Sequence, residues 1–133
     1  MYITDVVTLP RFCFGRGVYR RFPELCKGLG ARFALVGGNT AMEKGLPSLK
    51  EGLEGSGMQL LCALPFGGAC TLAAMDALTA QIDPMRPDFL VGMGGGKAID
   101  TAKGVAHRLG IPLVSLPDRV GKVVIAHIGE CEN

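Results

Sequence analysis

Residues 89–103, with the sequence FLVGMGGGKAIDTAK, carry the strongest structural signal in the chain. Residues 88–93 form a short apolar run that predicts a β-strand. The three glycines that follow favour no extended ladder and permit positive φ, so they predict the end of that strand. From Lys97 onward apolar residues recur at steps of three and four, which predicts a helix with one buried face: Ile99, Ala102, Val105, Ala106 and Leu109.

A glycine turn between a strand and a helix is a good place for a phosphate. The turn exposes backbone N–H groups, and the positive end of the helix dipole faces the same point. Lys97 adds a formal positive charge at the start of the helix. The spacing differs from the dinucleotide fingerprint, whose third glycine would fall at Lys97, and from the P-loop, because Ala98 replaces the Ser or Thr. The competing interpretation is a tight connection without a ligand.

Composition limits the class of protein. The chain has 133 residues, 48% of them apolar, which is enough for one domain with an aliphatic core. The net charge is +2 with scattered Lys and Arg, so no nucleic-acid surface is predicted. The apolar runs are too short to cross a membrane, and no signal peptide is visible, so a cytoplasmic protein is expected.

Cysteine and histidine give no metal or disulfide signal. The five cysteines contain no C-x-x-C pair, and their odd number predicts reduced, mostly buried thiols. His107 and His127 have no partner at metal-ligand spacing, and a lone His beside an apolar run, such as His127, is usually structural.

The remaining chain alternates between strand and helix patterns. Apolar runs predict strands at 2–8, 32–36, 58–64, 88–93 and 113–116, and the segments between them predict helices at 18–29, 41–53, 72–82 and 97–109. This alternation predicts an α/β fold, a Rossmann-like open parallel sheet with helices on both faces. Pro23 is expected in the first turn of its helix or at a break, and Asn39 or Thr40 is expected to cap the second helix. Ligands of such sheets bind at the carboxyl ends of strands, where 94–97, 37–39 and 115–117 are predicted to converge.

The segment GGGKAIDTAK, residues 94–103, closely resembles the G-G-G-K-x-x-D-x-A-K signature of glycerol dehydrogenase and the metal-dependent, iron- or zinc-type alcohol dehydrogenase superfamily. The resemblance implies that Gly94, Gly95, Gly96 and Lys97 bind the pyrophosphate of NAD. Asp100 would lie on the helix beneath them and orient Lys97 or the loop.

The same resemblance bears on the coenzyme's ribose. In many family members an acidic residue near the end of the second strand holds the ribose hydroxyls, and here Gly38 and Asn39 stand there. Asn39 can hydrogen-bond a ribose but does not repel a 2′-phosphate, so NADP is not excluded. Residues 66–70 are similar to the family's F-x-G-E-[CS] loop, with Ala69 in place of the glutamate, and residues 10–17 are similar to its opening P-x-x-(aromatic)-x-x-G-x-G segment.

The resemblance ends near Pro117. We therefore predict an NAD(P)-binding α/β domain at 1–117 and a divergent tail at 118–133, which a truncated or frameshifted reading frame would explain, although a deliberately short protein is the alternative. Residues 123–128 are expected to form a strand or to pack on an exposed surface. In the family a divalent metal, Zn or Fe, is held by a C-terminal helical domain whose ligands are not in this chain.

The resemblance implies an NAD-dependent oxidoreductase of glycerol or a similar polyol or alcohol, with NAD(H) as ligand, no nucleic-acid or membrane partner, and no catalytic or metal-binding residue in this chain. We expect the isolated chain to be catalytically incompetent and its uncovered apolar face to favour a homo-oligomer. Two alternatives stay open. One is a non-catalytic nucleotide-binding module or inert remnant, and the other is a relative of dehydroquinate synthase or glycerol-1-phosphate dehydrogenase.

Overall fold

The structure is a computed structural model that describes the backbone of residues 4–8, 16–117 and 122–126 and the side chains of residues 20–116. The glycine-containing segment at 10–15, Cys13, His127 and Cys131 lie outside the described residues. In chain order the elements are β1 Thr4–Thr8, α1 Arg16–Cys26, β2 Arg32–Gly37, α2 Asn39–Leu53, β3 Gln59–Pro65, α3 Leu72–Ile82, a 3-10 turn Asp83–Met85, β4 Phe89–Gly94, α4 Gly96–Leu109, β5 Leu113–Pro117 and β6 Lys122–Ala126.

The strands form one sheet with the order β1-β6-β5-β4-β2-β3. The four strands β5, β4, β2 and β3 are parallel, with Leu35 beside Val91 and Val91 beside Val114. The predicted α/β fold with a parallel sheet is confirmed for this part of the chain. The two inner strands of this parallel set, β2 and β4, are buried along nearly their whole length, as expected for strands covered on both faces.

Two further strands, β1 and β6, are antiparallel. The sequence pattern predicted β1 as part of a parallel sheet, and it left open whether residues 123–128 form a strand or pack on an exposed surface. Within the described residues there are six strands rather than five, because residues 122–126 pair with both β5 and β1. Only four residues separate β5 from β6, too few for the crossover that a parallel pairing needs, so the chain must turn back antiparallel. The strand at 4–8 then pairs antiparallel with β6 and not with a parallel neighbour.

Helices cover both faces of the sheet and divide the core in two. On one face α1 and α2 bury Phe22, Cys26 and Leu49 against the sheet. On the other face α3 and α4 bury Leu78, Ile82 and Val105. The predicted face of α4 is confirmed at Ala102, Val105 and Ala106, while Ile99 and Leu109 are only half-buried.

The first helix differs from its prediction because Pro23 lies well inside it. Proline removes one backbone hydrogen bond from a helix interior. Phe22 and Cys26, on either side of Pro23, are fully buried, and the Phe22 ring lies 5.3 Å from the Phe33 ring and 6.3 Å from the Phe89 ring. The helix thus continues through Pro23 while the residues on either side of it stay packed against the sheet.

The connections around β2 and β4 create a switch in strand order. From β2 the chain passes through α2 to β3 on one side, and from β4 it passes through α4 to β5 on the other side. Because α2 and α4 also cover opposite faces of the sheet, a crevice opens between the carboxyl ends of β2 and β4. Gly92 allows α4 to lie close to the sheet here, since a Cβ at this position would be 2.7 Å from the Cβ of Ala102.

Candidate anion-binding crevice

The glycine turn is tighter than the sequence pattern predicted. Gly94 is the last residue of β4 and pairs with Pro117, Gly95 precedes the helix, and Gly96 is already its first residue. The expectation that all three glycines lie between the two elements is therefore wrong. Gly94 keeps the strand pairing with a φ of 129°, which only glycine adopts readily, and a Cβ there would lie 3.4 Å from Ala41 and from Ala98.

The start of α2 also differs from its prediction. Asn39 is the first residue of this helix, Gly38 is the N-cap, and no side chain caps the helix. The predicted cap by Asn39 or Thr40 is wrong because both residues are inside the first turn. The backbone N–H of Gly38 donates to the carbonyl oxygen of Met93 at 3.0 Å, which ties the start of α2 to the end of β4.

A crevice of about 430 Å³ lies at this end of the sheet. Its volume is within the range of roughly 300–1,000 Å³ that is typical of small-molecule sites. It is lined by the segments that follow three adjacent strands, namely Gly38, Asn39, Thr40 and Ala41 after β2, Pro65, Phe66, Gly67 and Gly68 after β3, and Gly94, Gly95, Gly96, Lys97 and Ala98 after β4.

The electrostatic character of the crevice is positive. The first hydrogen bonds within the two helices run from Met42 N to Gly38 O and from Ile99 N to Gly95 O, so the N–H groups of the residues before Met42 and Ile99 have no partner within their helices. Neither helix has a side-chain cap. Lys97 is the charged residue in this lining, and no carboxylate occurs among the described residues that form it. Two helix N-termini and one lysine therefore favour an anion.

The structure brings most of the predicted site residues together. Gly94, Gly95, Gly96 and Lys97 line the crevice, and so do Gly38 and Asn39. Residues 115–117 are not in its lining because β5 lies on the far side of β4 from the switch point.

Asp100, which the family resemblance assigns to the coenzyme site, is also absent from the crevice lining. Its carboxylate lies 3.9 Å from Nζ of Lys103, one turn further along the exposed side of α4. The structure gives no ion pair or hydrogen bond between the described side chains of Asp100 and Lys97, so a role of Asp100 in orienting Lys97 or the turn stays a prediction.

The loop after β3 contributes lining residues that sequence reasoning did not assign to the site. Gly67 and Gly68 adopt φ values of 96° and 87°, and the backbone N–H of Phe66 donates to the carbonyl oxygen of Gly37 at 3.0 Å. The available signal was topological: a third parallel strand adjacent to β2 must end at the same edge of the sheet.

The cysteines of this part of the chain are free thiols in three different settings. Cys26 is buried, Cys62 is half-buried and Cys70 is exposed. Burial raises the pKa of the Cys26 thiol from 9.0 to about 12, and burial also raises the pKa of Cys62. Among the described cysteines none forms a disulfide, and only Cys26 is fully buried, so the prediction of mostly buried thiols holds for one of the three.

No three His, Cys, Asp or Glu side chains come together among the residues whose side chains the structure describes. None of the helices in the described ranges is long and apolar enough to cross a membrane.

Fold and crevice together define a class: an open α/β domain with a crevice at the switch point of its sheet whose lining favours an anion. Residues 10–126 match the family of iron-containing alcohol dehydrogenases. The chain belongs to this family of oxidoreductases.

Similar proteins are dehydrogenases several times longer than this chain. The glycerol dehydrogenase of Escherichia coli O6:H1 is 30% identical over 107 residues, which are 80% of this chain and 29% of that protein. The glycerol-1-phosphate dehydrogenase [NAD(P)+] of Methanosarcina acetivorans is 30% identical over 116 residues, covering 82% of this chain and 31% of that protein. The crystal structure of glycerol dehydrogenase from Schizosaccharomyces pombe superimposes with a TM-score of 0.68 at 27% identity over 77% of this chain and 26% of that one. The chain thus spans about three tenths of the length of these relatives.

Proposed function

We propose that this chain is the coenzyme-binding part of a dehydrogenase that oxidises glycerol or a similar polyol, and that its crevice binds NAD(H). The observation that carries the proposal is the convergence of two uncapped helix N-termini and Lys97 on one crevice at the switch point. The similarity to glycerol dehydrogenases supports the choice of substrate class.

The residues of the turn would hold the pyrophosphate. The backbone N–H groups of Gly96, Lys97 and Ala98 belong to the first turn of α4 and have no partner within the helix. A Cβ at Gly96 would have no atom within 4 Å, so the backbone is open to a ligand there. The exposed Lys97 ammonium would neutralise part of the charge of the diphosphate.

When bound, NAD would supply the acceptor for the hydride that leaves the carbinol carbon. The role of this chain's residues is to bind and orient the coenzyme. No cluster of three or more His, Cys, Asp or Glu side chains occurs among the described residues, so we derive no step through a divalent metal. We expect the isolated chain to bind NADH without oxidising glycerol.

A second candidate within the family is the oxidation of a phosphorylated glycerol. Its support is the similarity to glycerol-1-phosphate dehydrogenases over 82% of this chain. The two candidates share the proposed coenzyme crevice and differ in the alcohol, so steady-state assays with glycerol and with glycerol 1-phosphate as substrates would distinguish them.

The proposal is tested by titrating the purified chain with NADH and following the fluorescence of the coenzyme. Lys97→Ala should weaken binding about tenfold, equivalent to about 1.4 kcal/mol for a lost charged contact. Lys103→Ala is the matched control, because Lys103 is an exposed lysine of the same helix outside the crevice. It should change the dissociation constant by less than about twofold.

Two results would contradict the proposal. One is a folded chain, by circular dichroism, that shows no saturable NADH binding. The other is equal weakening by Lys97→Ala and Lys103→Ala, which would indicate a general effect of net charge and not a contact in the crevice.

A further inference from the structure

Strand β3 forms one edge of the sheet. It pairs with β2 on one side, and within the described residues nothing pairs with its other side. The backbone N–H of Phe66 donates to the carbonyl oxygen of Gly37 at 3.0 Å, so it faces β2. Because successive residues of a strand alternate, Leu64 also faces β2, whereas Ala63 and Pro65 turn their backbone polar groups away from it. The open edge therefore presents the N–H of Ala63 and the carbonyl oxygens of Ala63 and Pro65.

The residues of this edge do little to protect it. Edge strands are usually blunted by charged side chains, by proline or by a bulge. The sequence of β3, QLLCALP, contains no charged residue and has proline only at its last position. Its register shift lies near its start, opposite Phe33 and Ala34, and residues 62–65 stay in regular register with β2. An uncharged and regular edge is a template for another strand.

Within these 133 residues the ends of the chain are too far away to cover the edge. Residues 1–3 and 127–133 adjoin β1 and β6 at the opposite side of the sheet. Strand β6 lies four strand positions from β3, which is roughly 19 Å. Residues 127–133 span at most about 25 Å when fully extended, so they cannot cross the sheet and also run along β3. A strand that pairs with β3 in a solution of these 133 residues therefore comes from another molecule.

The helix beside this edge offers a second, independent observation. Helix α4 packs on β4, β2 and β5, and α3 packs beside α4 on the same face, so α3 lies on the β3 side. The flank of α3 toward α4 carries Asp76, which pairs with Arg108 at 3.1 Å. The opposite flank carries the exposed Ala77 and Gln81 and the half-buried Ala74. This flank is uncharged and mostly small, so a second helix can approach it closely.

We propose that β3 is an interface between two copies of this chain, whose β3 strands pair antiparallel about a two-fold axis at Ala63 and continue the sheet across both molecules. Ala63 is the residue of the regular part that has both backbone groups free, so the two copies of Ala63 exchange both N–H···O bonds. Cys62 of each copy then stands opposite Leu64 of the other, and no like charges meet. The axis is perpendicular to the sheet, so the two α3 helices lie side by side along their uncharged flanks.

This dimer leaves the crevices free. They lie at the carboxyl ends of the strands, and antiparallel pairing directs the two crevices toward opposite ends of the extended sheet. The interface therefore stands apart from the proposed coenzyme site, and the inference does not depend on what the crevice binds.

The test begins with sedimentation equilibrium of the purified chain over a range of concentrations. The mass should rise from 14.0 kDa toward twice that value, with a dissociation constant in the micromolar range typical of a small interface. Hydrogen exchange at the Ala63 amide should be slow at the highest concentration and fast after dilution, because this N–H is bonded only in the dimer.

Two variants locate the interface on α3. Ala77→Lys places a charge on the flank that faces the partner, and Ala80→Lys is the matched control, because it makes the same change at an exposed alanine on the side of α3 away from the sheet. Ala77→Lys should weaken dimerisation about tenfold, since two like charges approach each other across the axis. Ala80→Lys should change it by less than about twofold.

A third variant tests the strand itself. Ala63→Pro removes the N–H that each copy donates to the other and should abolish the dimer, while an edge strand tolerates proline where its N–H points away from the sheet. Circular dichroism checks that this variant is folded. If it is not, the comparison of Ala77→Lys with Ala80→Lys and the exchange of the Ala63 amide decide.

Three results would overturn the inference. One is a folded wild-type chain that stays monomeric up to about 1 mM. Another is a dimer that Ala77→Lys and Ala80→Lys weaken equally, and the third is a dimer that persists in folded Ala63→Pro. The last two would place the contact elsewhere on the molecule, for example at the β1 edge.

Discussion

Replacement of Gly96 by alanine should separate the stability of the fold from the binding of the coenzyme. Gly96 is the first residue of α4, its backbone is helical, and a Cβ there would have no atom within 4 Å. An alanine should therefore fit without strain and gain part of the helix propensity difference, about 0.5 kcal/mol at this terminal position. For a chain of this size that gain corresponds to a rise in Tm of about 1–3 °C.

The same methyl group should weaken coenzyme binding. Gly96 lines the crevice, and close approach of a pyrophosphate to the N–H groups of the turn requires the space that the methyl group would take. We expect NADH affinity to fall about tenfold, which is about 1.4 kcal/mol. The assays are thermal unfolding by circular dichroism and NADH titration by fluorescence, carried out on the same preparations.

Gly92→Ala is a control variant that should lower the stability of the fold instead of raising it. A Cβ at Gly92 would be 2.7 Å from the Cβ of Ala102, and neither atom can move without shifting α4 or β4. This variant should lose about 1–3 kcal/mol of stability. If Gly96→Ala instead lowered Tm by several degrees, or bound NADH as well as the wild type, the reasoning about the turn would be refuted.

Two further predictions concern stability. Because burial raises the Cys26 pKa from 9.0 to about 12, the unfolded thiol ionises first as pH rises, and the free energy of unfolding should fall from pH 9 upward. By pH 10 the loss from this group should reach about 1.4 kcal/mol, and urea unfolding of Cys26→Ala should lack that part of the pH dependence; identical pH profiles would contradict it. Asp88 accepts hydrogen bonds from the backbone N–H groups of Ala31 and Arg32 at 3.0 and 3.1 Å. Asp88→Ala should cost about 1 kcal/mol in urea unfolding, whereas Asp83→Ala, at an exposed residue of the preceding turn, should cost less than about 0.5 kcal/mol, and equal costs would contradict this role of Asp88.

The sequence pattern could predict the elements whose signals are local. The apolar run of β4, the helical period of α4 and the closing Gly110, with φ of 70°, all depend on neighbouring residues, and all were predicted correctly. The residues that line the crevice after β2 and β4 followed from the rule that ligands bind at strand ends.

Features that depend on distant partners could not be predicted in this way. Gly94 stays in its strand because Pro117 pairs with it, and β1 joins an antiparallel edge because β6 folds back beside β5. The loop with Phe66 reaches the crevice because β3 is the neighbour of β2, which is a property of the strand order and not of the loop's own sequence.

The central claim is that the crevice between α2 and α4 binds the diphosphate of a dinucleotide. The most direct test is a titration of the ¹⁵N-labelled chain with NADH, recorded through the backbone amide resonances. We predict that the largest shifts occur at Gly95, Gly96 and Lys97, followed by those of Gly38 and Asn39, with little change in the separate surface groove formed by Arg20, Ser48, Glu51, Gly52 and Glu54. Shifts centred on that groove, or an unchanged spectrum at the glycine turn in a chain that binds NADH, would contradict the account.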